Sequence, residues 1–207
     1  MAFSNFTLQS AQEQFGLNLT TKEPLFPDIP PVDAGPTTHR TLETLGQLAL
    51  TVNTEKARSE WLIAPVLGEL WLRARRTICL LSGVDFTFDK EAGLTGVVDF
   101  LIGKGPQVSW MTAPVLAVVE GKNESIPNGQ GQCAAEMVAS LRFNQKTKTA
   151  IDTVYGVVTT GNNWRFHRLR DSEFAIDTRE YVTAEVDQIL GILLHIVGMN
   201  PVDTPHA

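Results

Sequence analysis

The sequence of 207 residues carries only two cysteines, Cys79 and Cys133. That is too few for a disulfide framework and fits a reduced cytoplasm. It also lacks any run of about 18 uninterrupted apolar residues, so no membrane span is expected. The opening MAFSNFTLQSAQEQF has neither a basic start nor a long apolar core, which argues against a secretory signal. Positive charge is not in excess: 17 Lys and Arg stand against 23 Asp and Glu, a net charge of −6. The molecule as a whole is therefore no basic nucleic-acid binder. A polyanion would have to be met by a local patch or through metal ions. No low-complexity tract, internal repeat or Gly-rich phosphate loop is present, so no nucleotide cofactor is indicated. A cytoplasmic globular domain is what these absences leave.

The remaining composition, 43% hydrophobic and 19% charged, is ordinary for such a domain, and the length suits one well-filled core. Residues 1–40 read as an extended N-terminal arm, and residues 41–207 as a single domain. The arm includes PLFPDIPPVDAGP, whose five prolines forbid a central strand or a long helix. Its Leu25, Phe26, Ile29 and Val32 predict docking onto the domain. From Thr41 to about Arg76 the spacing of Leu42, Leu45, Leu48 and Ala49, then Trp61, Leu62, Val66, Leu70 and Leu72, predicts amphipathic helix. Pro65 predicts a kink or a fresh helix start.

The period then changes. CLLSGVDFTFD, LTGVVDFLIG and APVLAVVEG read as three strands, the first two a hairpin. NGQGQCAAEMVASLRF predicts a helix with a Gly-rich entry, TVYGVVTTG and NWRFHRLR a strand pair, and REYVTAEVDQILGILLHIV a closing helix. This order predicts an α/β domain with a mixed central sheet flanked by helices.

Two strands carry charge where little is expected. Asp99 lies within LTGVVDFLI, among apolar neighbours, and a buried carboxylate must be paired, hydrogen-bonded or bound to a cation. Glu120 and Lys122 close the apolar run AVVEGK two residues apart, so they project from the same side of a strand. If the strands are neighbours, two carboxylates and a lysine converge at one edge. That is a donor set for a hard divalent cation, with an ammonium placed for water or phosphate. A plain salt bridge at the sheet rim satisfies the same residues.

GVVDFLI followed by VVEGKNE resembles the Asp…Glu-x-Lys signature of the PD-(D/E)XK, or restriction-endonuclease-like, nuclease superfamily. KARSEWLIAPVLGEL, LSGVDFTFD, NGQGQCAAEM and VYGVVTTGNNWRF are similar to a bacterial branch of it common in cyanobacteria. The resemblance spans about Glu55 to Phe166. It departs at Gly121, where Ala is the expected residue, and at Val98, where the Pro of the superfamily's name is missing. It implies a core order of helix, three strands, helix, strand, and an Mg²⁺-dependent endonuclease (Mn²⁺ an alternative) acting on DNA. It further implies Asp99, Glu120 and the Gly121 carbonyl as metal ligands and Lys122 as the group that orients the attacking water. Glu60 matches an acidic residue on the first core helix, and Gln132 a helix glutamine near the site. Glu69, nine positions beyond Glu60, should not share its face on a straight helix. Superfamily members often form homodimers. The competing expectation is a non-catalytic nucleic-acid- or protein-binding module that retains the fold; RNA or branched DNA are alternative substrates.

Other residues invite plainer readings. His39, His167, His195 and His206 show no metal-ligand spacing, and His195 reads as packed. Cys133 reads as a small buried hydrophobe, and Asp85 as turn chemistry. Arg165, Arg168 and Arg170 read either as a nucleic-acid grip or as charge guarding an edge strand. Arg142, Lys146 and Lys148 form a second basic candidate.

Overall fold

Strands with a period of two, bracketed by helices with a period of 3.6, assemble into three layers in a computed structural model that describes residues 2–74, 77–123 and 125–199. His206, Glu124 and the end of the predicted helix at Arg76 lie outside the described residues. The central sheet is eight-stranded and mixed, in the order β1-β7-β6-β5-β4-β3-β2, with β8 also pairing β6. In chain order these strands are β1 (Asn18–Thr20), β2 (Ile78–Asp85), β3 (Val97–Lys104), β4 (Val115–Gly121), β5 (Thr153–Thr159), β6 (Asn163–Arg170), β7 (Glu173–Ile176) and β8 (Tyr181–Val182). β2, β3 and β4 form an antiparallel meander, and β5 joins parallel to β4. A parallel neighbour needs a crossover, and α5 (Ile126–Lys146) supplies it.

Each face of the sheet has its own core. On one, α5 and the N-terminal segment cover Leu101, Val118, Val154 and Leu169. On the other, α2 (Gly35–Val52), α4 (Ala64–Arg73) and α6 (Val186–Ile196) cover Phe100, Ala117, Val157 and Phe166. Among the described residues no helix is long and apolar enough to cross a membrane.

The N-terminal arm is only partly extended. Thr7 caps α1 (Leu8–Phe15), accepting the Ser10 N–H at 3.1 Å, and Gly16 ends that helix at φ 66°. β1 then adds to the sheet edge, parallel to β7. The proline-rich stretch does dock, with Phe26, Val32 and Ala34 buried and Leu25 and Ile29 packed against the same core.

The predicted long helix is four pieces. α2 starts before Thr41 and ends at Asn53 in the left-handed conformation. Its buried stripe is Thr38, Leu42, Gly46 and Ala49, whereas Leu48 is 45% exposed. The small residues explain this: a Cβ at Gly46 would stand 3.1 Å from Leu62 Cδ2, so the helix packs closely at Gly46 and Ala49 and turns Leu48 and Leu50 outward. A single turn, α3 (Glu55–Arg58), and a π-helical turn at Ser59–Ile63 lead into α4, which starts next to Pro65 as expected.

β6 is an inner strand, not an edge, so its charges do not guard an edge. His195 is exposed rather than packed, although its ring lies edge-on to Phe26 at 6.0 Å.

Candidate active site

The β3–β4 ladder ends at Phe100–Val119, but β4 continues to pair with β5 through Gly121–Thr159, and the Lys122 N–H donates to the Thr159 carbonyl at 2.8 Å. A fork therefore opens beside the end of β4. Asp99 stands on the β3 side of it. Its Oδ2 accepts the Gly121 N–H at 2.8 Å, replacing the ladder partner that the fork removes. Gly121 is suited to this closeness: a Cβ there would lie 3.2 Å from Asp99 Oδ2 and 3.1 Å from Ile63 Cδ1.

Glu120 points toward α5 and is only 2% exposed. Its Oε1 accepts from Lys122 Nζ at 2.5 Å, while its Oε2 is buried without a partner. Lys122 also donates to Gln132 Oε1 at 3.3 Å. The stem of Lys122 runs over Gly129 of α5, where a Cβ would come within 3.1 Å of Lys122 Cγ. One helical turn beyond Gln132 lies Glu136, fully buried. Gln132 Nε2 donates to Glu136 Oε1 at 3.1 Å, and Glu136 Oε2 has no partner. Sequence reasoning missed Glu136.

The electrostatics follow from this crowding. Burial, then repulsion from Asp99, pushes the Glu120 carboxyl up to about 8, with Lys122 pulling the other way. Burial and Glu120 hold the Glu136 carboxyl far above the carboxylate range. Burial alone would lower the Lys122 ammonium, but the Glu120 charge and hydrogen bond outweigh it and the net shift is upward. With every carboxyl ionised, one ammonium would face Asp99, Glu120 and Glu136, and that shortage of positive charge helps keep Glu120 and Glu136 protonated. A divalent cation would correct this. Beside the fork, the residues that could serve such an ion are Asp99, Glu120 and the Gly121 carbonyl, whose hard oxygens match the donor type of Mg²⁺ or Mn²⁺.

Glu60 does not join them. It lies in the π turn, pairs with Lys56 at 2.6 Å, and its side chain is 50% exposed. Glu55, one turn earlier in α3, is the helix carboxylate whose charge reaches both Glu120 and Lys122. Glu69 is held by Arg73 at 2.6 Å.

The basic candidates are largely engaged. Arg165 pairs with Glu180 at 2.7 Å and Arg170 with Asp152 at 2.8 Å. Arg142 and Lys146 sit over the rings of Phe15 and Phe88. Cys133 is buried, as expected. His167 is buried beside Gln130 (3.3 Å), and desolvation pushes it down to about 3. The structure also brings His39 to Asp33 (3.5 Å) and Asp187 (3.0 Å) in an exposed group that the sequence spacing does not reveal. Asp33 and Asp187 already accept the Gly35 and Ala34 N–H groups there, fastening the start of α2 to α6.

Compared with known proteins, the chain matches no protein-family model and no curated protein.

Proposed function

We propose that the chain is a divalent-metal-dependent endonuclease of the PD-(D/E)XK type that hydrolyses phosphodiester bonds of DNA in the cytoplasm. The observation that carries this reading is the buried Glu120 oxygen without a partner, set beside Asp99 where the β3–β4 ladder opens, with Lys122 adjacent. The order α4, β2, β3, β4, α5, β5, with β5 parallel to β4, agrees with the restriction-endonuclease-like core and supports it.

Asp99, Glu120 and the Gly121 carbonyl would hold Mg²⁺ or Mn²⁺. Once bound, the ion supplies Lewis-acid stabilisation of the charge that builds on the scissile phosphate. Lys122 keeps its proton and uses a remaining N–H to orient the attacking water or a phosphate oxygen. Water adds across one phosphodiester bond, leaving a phosphomonoester and a free hydroxyl. The net charge of −6 is tolerable because cations reverse the sign of the local field. A double-strand cut needs two such sites, which a homodimer would supply.

Supercoiled plasmid, linear duplex, single-stranded DNA and RNA are incubated with the protein in Mg²⁺ or Mn²⁺, beside Asp99→Ala and Lys122→Ala purified identically. Cutting of DNA by the parent and not by either variant is the expected result. The closed Glu120–Lys122 pair also suits a binding module that retains the fold without chemistry, and that reading predicts no cutting of any substrate.

A further inference from the structure

We propose that Glu136 is a positioning residue for Lys122, acting through Gln132: its carboxyl fixes which end of the Gln132 amide meets the lysine. The inference rests on the nuclease reading for its consequence in catalysis, but its geometry stands apart from it.

A carboxyl at position 136 has a cost. The neighbouring Cys133, Ala134, Ala135, Met137 and Ala139 are all fully buried, and an apolar side chain would fill the same space without desolvating an acid. One oxygen of Glu136 has no partner at all. The other has one task, accepting from Gln132 Nε2 at 3.1 Å.

That task has a directional result. A glutamine amide has a donor end and an acceptor end of nearly the same shape. Only the acceptor end attracts an ammonium. With Nε2 held by Glu136, Oε1 is the end that faces Lys122 Nζ, at 3.3 Å. The ammonium is then fixed between Gln132 Oε1 and Glu120 Oε1, and of its three N–H donors one is left for water or phosphate. Without Glu136 the amide can turn over and present its NH₂ to a cation. Lys122 then falls back on Glu120 alone, and its third donor loses its aim. Gln132 and Glu136 stand four residues apart on one helix, the spacing at which side chains meet, so this arrangement needs no loop to hold it.

The test uses Glu136→Met, which fills the space but removes the acceptor, and Glu136→Gln, which keeps a carbonyl oxygen and the shape of a neutral carboxyl. Gln132→Leu, at a partly exposed position, breaks the chain of contacts without touching the core. Two readouts are taken: the ¹⁵Nζ NMR resonance of Lys122 in metal-free protein, and kcat and KM for DNA cleavage. Glu136→Met and Gln132→Leu are expected to move the Lys122 resonance alike and to lower kcat by about tenfold with little change in KM. Glu136→Gln is expected to stay close to the parent in both. Glu136→Met placed on Gln132→Leu should add nothing further. A Glu136→Met protein that melts lower while the Lys122 resonance and kcat stay at parent values would overturn the proposal and leave Glu136 as a core residue. Additive effects of the two substitutions would overturn it as well. Absence of cleavage by the parent would sink the nuclease reading alone, because the resonance still decides whether Glu136 positions Lys122.

Discussion

Glu120 Oε1 lies 2.5 Å from Lys122 Nζ, while the other oxygen of the same carboxylate is buried with nothing to bond. A salt bridge built only for stability would satisfy both oxygens or leave the second to water, since a desolvated lone oxygen costs about 1–3 kcal/mol or more when charged. On the reading proposed above, Lys122 holds the first oxygen and the second is the one a cation would take.

This arrangement sets a pH signature in metal-free protein. The folded-state value of Glu120, about 8, stands above its ordinary 4.5. Its stabilising contribution is accordingly full below pH 4.5 and is lost as pH rises through about 8. Urea titrations across that range should show parent stability falling relative to Glu120→Gln. Parallel profiles would contradict the buried-carboxylate account.

His167 has the opposite sign. Its folded value, about 3, lies below the ordinary 6.5, so its contribution is full above pH 6.5 and is lost as pH falls toward 3. His167→Gln should flatten the acid limb of the stability profile between those values, read by chemical denaturation. An unchanged limb would assign acid unfolding to other groups.

Gly121→Ala is predicted to be harmful. Its Cβ would stand 3.1 Å from Ile63 Cδ1 and 3.2 Å from Asp99 Oδ2, forcing one of them aside. A loss of about 1–3 kcal/mol is expected from such overpacking, with weaker divalent-cation binding because the Asp99 carboxylate shifts. A melt and a Mn²⁺ titration would measure both, and an unaffected variant would show that the fork yields easily.

The helix carboxylates separate cleanly. Glu60 is spent on Lys56 at the surface, and Glu55 is the one whose charge reaches Glu120 and Lys122. Glu55→Gln should weaken cation binding several-fold, whereas Glu60→Gln should leave it unchanged. Calorimetric titration of the two variants with Mn²⁺ would reverse this account if Glu60 were the sensitive position.

What the sequence makes legible is the part governed by short periods. Asp99, Glu120 and Lys122 stand out because a strand reads in steps of two and apolar neighbours frame them. The meander, the crossover helix and the docking of Phe26 follow from the same local signals. Glu136 does not stand out, because AAEMVAS reads as one face of an ordinary amphipathic helix. In the fold α5 is covered by the sheet beneath and by α1 and the first residues above, so nearly every face is buried from Gly129 to Leu141. Glu60 comes from the resemblance and not from a local pattern, and in the fold it lies in the π turn at Ser59–Ile63, paired with Lys56. β1 and the His39–Asp187 contact depend on pairings across most of the chain, which no local pattern contains.

The most direct measurement is a thermal melt of metal-free protein titrated with Mg²⁺ or Mn²⁺, run beside Glu120→Gln. If the open oxygen of Glu120 is a cation ligand, the parent melting temperature rises with concentration as linkage requires. The gain is about 2.7 kcal/mol at a hundredfold excess over Kd, or about 5–10 °C for a chain of this size, and it disappears in Glu120→Gln. A parent that ignores both cations, with Glu120→Gln simply melting lower, would reduce Glu120 and Lys122 to a structural salt bridge.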